Sequence, residues 1–167
     1  GMINTSVVLL FFFVKLRRPP GTTLCPYTAL CRSLRKACRQ VVRWQQEGRP
    51  LAFVAVNISS RLFGQRELYR QVADVLHDTG LSPALLELEV TESAVMEDPE
   101  VALEQLHRLR ELGVALAIDD FGTGYSSLLR LKRMPVQKLK IDQGFVAGLP
   151  FDEDDVAIVR VIIALAR

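Results

Sequence analysis

The residues most able to do chemistry in this sequence sit at the ends of short apolar runs. Asn57 closes LAFVAVN, Glu89 stands next to the end of LLELEV, and Asp119 closes VALAID with Asp120 directly after it. Lys140 lies inside QKLKI, and Asp142 comes directly after that run. Carboxylates and an amide oxygen are hard ligands, suited to Mg²⁺ or Mn²⁺ rather than zinc. Two such ions about 4 Å apart can activate a water and stabilise both oxygens of an in-line phosphate displacement. The adjacent carboxylates of Asp119 and Asp120 repel each other unless a cation lies between them. Lys140 is suited to neutralise a phosphate oxygen or hold an attacking water. Simpler roles compete with each assignment. Asn57 and Asp142 can cap the loops or helices that come after them, the Asp119–Asp120 pair ahead of FGTG can form a turn, and the alternation of Glu87 with Glu89 leaves room for one of them to face solvent.

The elements that would position these groups are set by periodicity. Thr28–Glu47 carries Leu30, Leu34, Ala37, Cys38, Val41 and Trp44 at helical spacing and stops at Gly48. Further helices are expected over Glu67–Thr79, Pro99–Leu112 (with Asp98 as cap and Gly113 as stop), Ser126–Lys132 and Asp155–Ala166. Between them Leu51–Asn57, Leu85–Val90, Val114–Asp119 and Gln137–Ile141 read as strands. Alternating strands and helices imply parallel strands with helices outside. A full (β/α)8 barrel takes about 250 residues, whereas this chain has 167. The expected fold is therefore α/β, a partial (β/α) TIM-type barrel with parallel strands and outer helices, incomplete at both ends. Asn57 and Glu89 are 32 residues apart, Glu89 and Asp119 30, and Asp119 and Lys140 21, each close to one βα repeat. Successive strands would thus bring these side chains to one rim, the C-terminal rim where barrels keep their functional groups.

Composition narrows the field. Hydrophobic residues make up 49% and charged residues 24%, the balance of a globular chain. A net charge of +2 gives no basis for binding a nucleic-acid polymer. Cys25, Cys31 and Cys38 are odd in number and form no CxxC pair, which points to reduced thiols in a cytoplasmic protein. The apolar run Val7–Val14 is too short to span a membrane, and its basic neighbours Lys15, Arg17 and Arg18 come after it, unlike those of a signal peptide. It reads as a strand or an adhesive tail. His77 and His107 fall on polar helix faces, and Asp152–Asp155 reads as the acidic start of a helix.

From about Ala29 to Arg167 the sequence resembles the EAL family of cyclic di-GMP phosphodiesterases. The blocks ACRQVVRWQQEG (Ala37–Gly48), VAVNIS (Val54–Ser59), LLELEVTES (Leu85–Ser93), AIDDFGTGYSSL (Ala117–Leu128) and LKIDQGFV (Leu139–Val146) occur in the family's order. DDFGTGYSS is the most specific of them. The resemblance implies a (β/α) barrel that hydrolyses cyclic di-GMP to the linear dinucleotide in bacterial second-messenger signalling, using two Mg²⁺ or Mn²⁺ ions. It implies that Asn57, Glu89, Asp119 and Asp120 are metal ligands, that Lys140 contacts the catalytic water, and that Asp142 is a further acidic site residue. With Asp120, Lys140 would form the catalytic pair. Glu92 would anchor the loop Phe121–Ser127, which in the family couples the metal site to a dimer interface.

The departures carry expectations of their own. Nothing in Met2–Pro26 matches the Glu-Ala-Leu segment, which brings a metal-binding glutamate and a substrate-binding arginine. The Glu-Gly-Val-Glu strand, with a further ligand and the general base, and a later glutamine near the guanine site are not found before Arg167. Gln137 replaces a common aspartate and Gly144 a common serine. Residues 1–27 are accordingly read as an unmatched apolar and basic tail and residues 28–167 as a partial EAL domain. Little or no hydrolysis is expected of the chain by itself. The rival readings are a degenerate module that binds cyclic di-GMP or a partner protein without catalysis, and a truncated gene product. Exposed strand edges and apolar helix faces in all three lead to the expectation of a homodimer.

Overall fold

The computed structural model describes residues 13–14, 26–49, 53–123 and 132–165. They form β1 (Phe13–Val14), α1 (Pro26–Gln46), β2 (Val54–Ile58), α2 (Ser60–Phe63), α3 (Leu68–Thr79), β3 (Leu86–Thr91), α4 (Glu92–Glu97), α5 (Pro99–Glu111), β4 (Ala115–Phe121), β5 (Lys138–Ile141), α6 (Gln143–Ala147) and α7 (Glu153–Leu165). A single 3-10 turn, Pro83–Leu85, leads into β3.

All neighbouring strands pair in parallel, in the order β1-β2-β3-β4-β5. Strictly sequential order distinguishes barrel winding from the doubly wound sheet, whose strand order reverses at a switch point. The expected α/β class and the barrel type of winding both hold. Val14 pairs with Val56, so the end of the apolar tail lies along the edge of the sheet as a short fifth strand. Residues 7–12 lie outside the described set.

The apolar face of the sheet explains why the helices pack where they do. Val54, Val56 and Ile58 of β2, Leu86, Leu88 and Val90 of β3, and Leu116 and Ile118 of β4 alternate onto one face and join a single buried cluster. The helices complete that cluster with Leu30, Leu34, Cys38 and Val41 of α1, Leu68, Val72 and Val75 of α3, and Leu106 and Leu109 of α5. These positions recur at three- and four-residue intervals, which puts them on one stripe of each helix. Burying each such leucine or valine contributes about 1.5–3 kcal/mol before entropy is counted. Local signals set the helix ends. Asp98 accepts a hydrogen bond from the Val101 N–H at the start of α5, and Gly80 ends α3 in the left-handed conformation at φ 68°.

Several boundaries differ from the sequence reading. Helix α7 begins at Glu153, where Asp152 Oδ1 accepts from the N–H groups of Asp154 and Asp155. The short helices α2, α4 and α6 were not foreseen, because four to six residues carry no usable periodicity. The expected helix Ser126–Lys132 falls outside the described residues except for Lys132. The fully buried Gln105 of α5 donates to the carbonyls of Phe63 and Gln65, which fixes α2 just beyond the end of β2.

Candidate functional site

The other face of the sheet is polar, and strand register shows which residues share it. Asn57 pairs with Glu89, Glu89 with Ala117, and Thr91 with Asp119. Paired residues in adjacent parallel strands point the same way, so Asn57, Glu89 and Asp119 project from one face, in the C-terminal half of their strands. Asn57 and Asp119 are partly exposed, and Glu89 is 1% exposed. Glu87 is 2% exposed and on the same face. The expectation that one of Glu87 and Glu89 faces solvent is therefore corrected: residues two apart on a strand share a face, and both are buried.

What makes this burial tolerable is a pair of lysines from β5. Lys140 Nζ lies 2.6 Å from Glu89 Oε1, and Lys138 Nζ lies 2.6 Å from Glu87 Oε2. Strand β4 runs between the partners. Its residues on this face are Ala115, paired with Glu87, Ala117, paired with Glu89, and Asp119, paired with Thr91. Lys138 is the register partner of Ala117, and the small side chains of Ala115 and Ala117 leave room on this face for the two ion pairs that span β4. Lys138 also lies 4.0 Å from the centre of the Phe53 ring, a cation–π contact that holds it from the other side. The Lys140–Glu89 contact is an ion pair without hydrogen-bond alignment, and neither Glu89 oxygen accepts a hydrogen bond among the described residues.

At Asp119 and Asp120 the ladder between β4 and β5 is interrupted. Ile118 pairs with Leu139, then Phe121 with Ile141, with a register shift between them. Asp120 has φ 53°, the only non-glycine residue with positive φ among those described. A bulge of this kind re-aims side chains at the rim of a barrel. Immediately beyond it, Glu92 Oε2 accepts a hydrogen bond of 2.8 Å from the Gly122 N–H. Glu92 is the first residue of α4, 1% exposed, and Thr91 caps that helix by accepting from the Ala94 N–H. Residues 124–127 of the same loop lie outside the described set. Asp142 is engaged differently: its Oδ1 accepts from the Gly144 N–H at 2.7 Å and caps α6.

Sequence reasoning missed three contributors. Glu87 and Lys138 form the lower ion pair, and their strand positions two residues before Glu89 and Lys140 were the available signal. Gln137 Oε1 accepts from the Leu116 N–H at 2.7 Å, while its own N–H donates to the Leu116 carbonyl, so it docks β5 onto β4 before the strand begins. His77 and His107 are exposed on helix surfaces, away from this face.

The donor chemistry here fits a hard divalent cation. Asn57, Glu89, Asp119 and Asp120 offer only oxygen ligands, and Glu89 holds a buried carboxylate that no hydrogen bond satisfies among the described residues. Among the described residues no three His, Cys, Asp or Glu side chains converge closely enough to hold a metal by themselves.

Comparison with known proteins places this arrangement. The chain is 48% identical over 134 residues to the bifunctional diguanylate cyclase/cyclic di-GMP phosphodiesterase MucR of Pseudomonas aeruginosa, covering 80% of this chain and 20% of that protein. It is 44% identical over 134 residues to the cyclic di-GMP phosphodiesterase NbdA of the same organism, covering 17% of it. Among solved structures, the PaMucR phosphodiesterase in complex with c-di-GMP superposes with a TM-score of 0.77 at 46% identity, over 82% of this chain and 56% of that one. The EAL domain of Mycobacterium smegmatis DcpA gives 0.71 at 42% identity, over 80% and 60%. The chain thus spans a fifth or less of these curated relatives and a little over half of the solved domains. A sequence model of the EAL domain matches residues 32–167, a stretch that takes in every strand-end residue of the polar face, and on that match the chain belongs to the EAL domain family.

Proposed function

We propose that the polar face of β2–β5 is a cyclic di-GMP site, at which divalent metal ions bound by Asn57, Glu89, Asp119 and Asp120 act on a phosphodiester. One observation carries this reading. Asn57 and Glu89 are register partners, and the Asp119–Asp120 bulge lies at the same end of the same face. MucR and NbdA, which this chain resembles at 48% and 44% identity, are named as cyclic di-GMP phosphodiesterases. The proposed reaction adds one water across a P–O bond and opens the ring to the linear dinucleotide. A bound Mg²⁺ or Mn²⁺ supplies Lewis-acid polarisation of the phosphoryl oxygens and acidifies a water. Glu89, enclosed by β2 and β4, holds its carboxylate in one orientation. Asp120, on the bulge, presents its carboxylate at the open rim. Lys140 is 28% exposed and within reach of the same rim, where its ammonium can meet a phosphate oxygen or orient a water. Glu92 fixes the loop after β4 through Gly122.

A second reading, binding without turnover, draws on two observations. No three carboxylates converge among the described residues, and Asp142 spends its carboxylate on a helix cap. Calorimetry with cyclic di-GMP and a turnover assay with Mn²⁺ separate the two. Binding with steady hydrolysis supports the enzyme, binding without hydrolysis supports the module, and absence of both overturns the site.

No described helix is long and apolar enough to cross a membrane, and Cys31 and Cys38 are free thiols. A cytoplasmic setting is the proposal these support. Self-association as a homodimer is proposed from the exposed apolar side chains of α6, α7 and their connection: Val146, Phe151, Ile158, Val161, Ile163 and Leu165. Light scattering tests it, and a monodisperse monomer overturns it.

A further inference from the structure

We propose that the exposed basic stripe of α1 is the docking surface for the acidic start of α7 of a second copy, so that copies associate head to tail. The inference rests on the self-association proposed above and names the faces that meet. Charge is divided unevenly along the chain. Residues 1–50 hold nine Lys and Arg against one acidic residue, a net +8, and residues 51–167 hold twelve against eighteen, a net −6. Two helices concentrate the division. Helix α1 has five basic residues and no acidic one. Arg32, Lys36, Arg39 and Arg43 recur at four-, three- and four-residue intervals, which puts them on one face, and all four are exposed. Arg35 pairs with Asp78 at 2.8 Å, and Arg43 and Arg49 share Glu47. Arg32, Lys36 and Arg39 have no carboxylate partner among the described residues. A groove of about 680 Å³ along this face is lined by the five basic side chains with Cys31 and Gln40.

The matching face is the start of α7. Asp152, Glu153 and Asp154 are exposed and have no cation partner among the described residues. Capping the helix occupies Asp152 Oδ1 and leaves the carboxylates of Glu153 and Asp154 for another partner. Phe151, 92% exposed, precedes them and offers a ring face to an arginine. Topology decides how the two faces meet. Helix α1 packs on β2 and α3, at the β1–β2 end of the strand order, whereas α7 comes after β5 and packs on α6, at the other end. A two-fold contact made by either patch alone sets like charge against like. A two-fold contact using both needs them side by side on one surface, and they lie at opposite ends of the strand order. Head-to-tail contact pairs opposite charges and leaves one face of each kind open, so the assembly grows with concentration.

The test follows the mass of the wild-type chain by light scattering over a concentration series, in about 0.01 M and about 1 M salt, between which the screening length falls from about 30 Å to about 3 Å. In low salt the mass is expected to grow past twice that of one chain, and high salt should remove at least half of it. Two charge-reversed variants locate the contact: Arg32→Glu with Arg39→Glu, and Glu153→Lys with Asp154→Lys. Neither should grow in low salt by itself, because each opposes like charges. An equimolar mixture of the two restores opposite charges at every contact and should grow as the wild type does. Growth of either variant alone to the wild-type mass, or a mixture that stays at the mass of its components, overturns the inference. So does wild-type association that persists in high salt, which leaves the apolar pairing of α6 and α7 standing. A wild-type monomer in both salts removes self-association altogether. The salt arm uses the wild-type chain, so it decides even if a variant does not fold.

Discussion

Glu92 and Gly122 join two segments that the sequence separates by a whole helix and strand: the carboxylate at the head of α4 accepts the 2.8 Å hydrogen bond of a backbone N–H just past β4. Gly122 has φ 104°, and a Cβ there would stand 2.8 Å from the Phe145 ring, so the loop can leave the strand only through glycine. Removing the acceptor leaves a backbone donor unpaired in a part-buried position, at a cost of about 1–3 kcal/mol. Glu92→Ala is therefore expected to destabilise the chain by that amount. It should also speed exchange of the Gly122 amide at least tenfold. Hydrogen exchange followed by NMR checks this, and unchanged protection at Gly122 would show that the bond does not hold the loop.

The alanines of β4 make a second prediction. Ala117 is fully buried between Glu89 and the strand that carries Lys140. Ala117→Leu forces a branched side chain into the crossing point. Overpacking of this kind costs about 1–3 kcal/mol, and separating a buried carboxylate from its cation adds to it. Ala117→Gly, which keeps the crossing open, should cost only about 1 kcal/mol through chain entropy. Urea denaturation of both variants gives the comparison; a Leu variant as stable as the Gly variant would show that nothing needs to cross there.

Burial defines the behaviour of Cys38. Desolvation raises its thiol from the ordinary 9.0 to about 11, the local backbone hydrogen bond opposing weakly. The folded state then holds the proton over a pH range in which the unfolded chain has lost it. Stability from this source is complete below pH 9 and falls as the pH rises towards about 11, by about 2–3 kcal/mol in all. The same burial predicts that Cys38 resists alkylation at pH 8 in the native state. Measured against its own stability at pH 7, Cys38→Ala should lose less between pH 9 and 11 than the wild type. Parallel slopes for the two proteins would assign the alkaline loss to other groups.

The parts of this fold that were legible in the sequence are those whose signal is local. The stripe from Leu30 to Val41 and the apolar runs around Val56, Leu88 and Leu116 identify elements because burial imposes a period on each one separately. Repeat spacing then placed Asn57, Glu89 and Asp119 on one rim without coordinates. The ion pairs were not legible, because Glu87–Lys138 and Glu89–Lys140 join strands that are not neighbours, across a third strand whose contribution is the smallness of Ala115 and Ala117. Nothing in QKLKI alone says which carboxylate its lysines meet. That Asp142 caps a helix was one of two readings open in the sequence, and its hydrogen bond from the Gly144 N–H is visible only in the fold.

Asp120 offers the sharpest separation of backbone from charge. Its φ of 53° lies in the left-handed region, which aspartate, asparagine and glycine adopt more easily than branched residues do. Asp120→Asn keeps a side chain that tolerates this conformation and removes only the charge. Its stability should stay within about 0.5 kcal/mol of wild type, while Mn²⁺ affinity, if Asp120 is a ligand, should fall at least tenfold. Asp120→Gly should match it in both respects. Asp120→Val has to hold a β-branched side chain in the same conformation and should lose about 1–2 kcal/mol or more of folding stability. Thermal melts with and without Mn²⁺ read both effects in one experiment. Equal stability of the Val and Asn variants would mean that the bulge relaxes freely. An Asn variant that retains full Mn²⁺ stabilisation would remove Asp120 from the ligand set and leave Asn57, Glu89 and Asp119 to carry it.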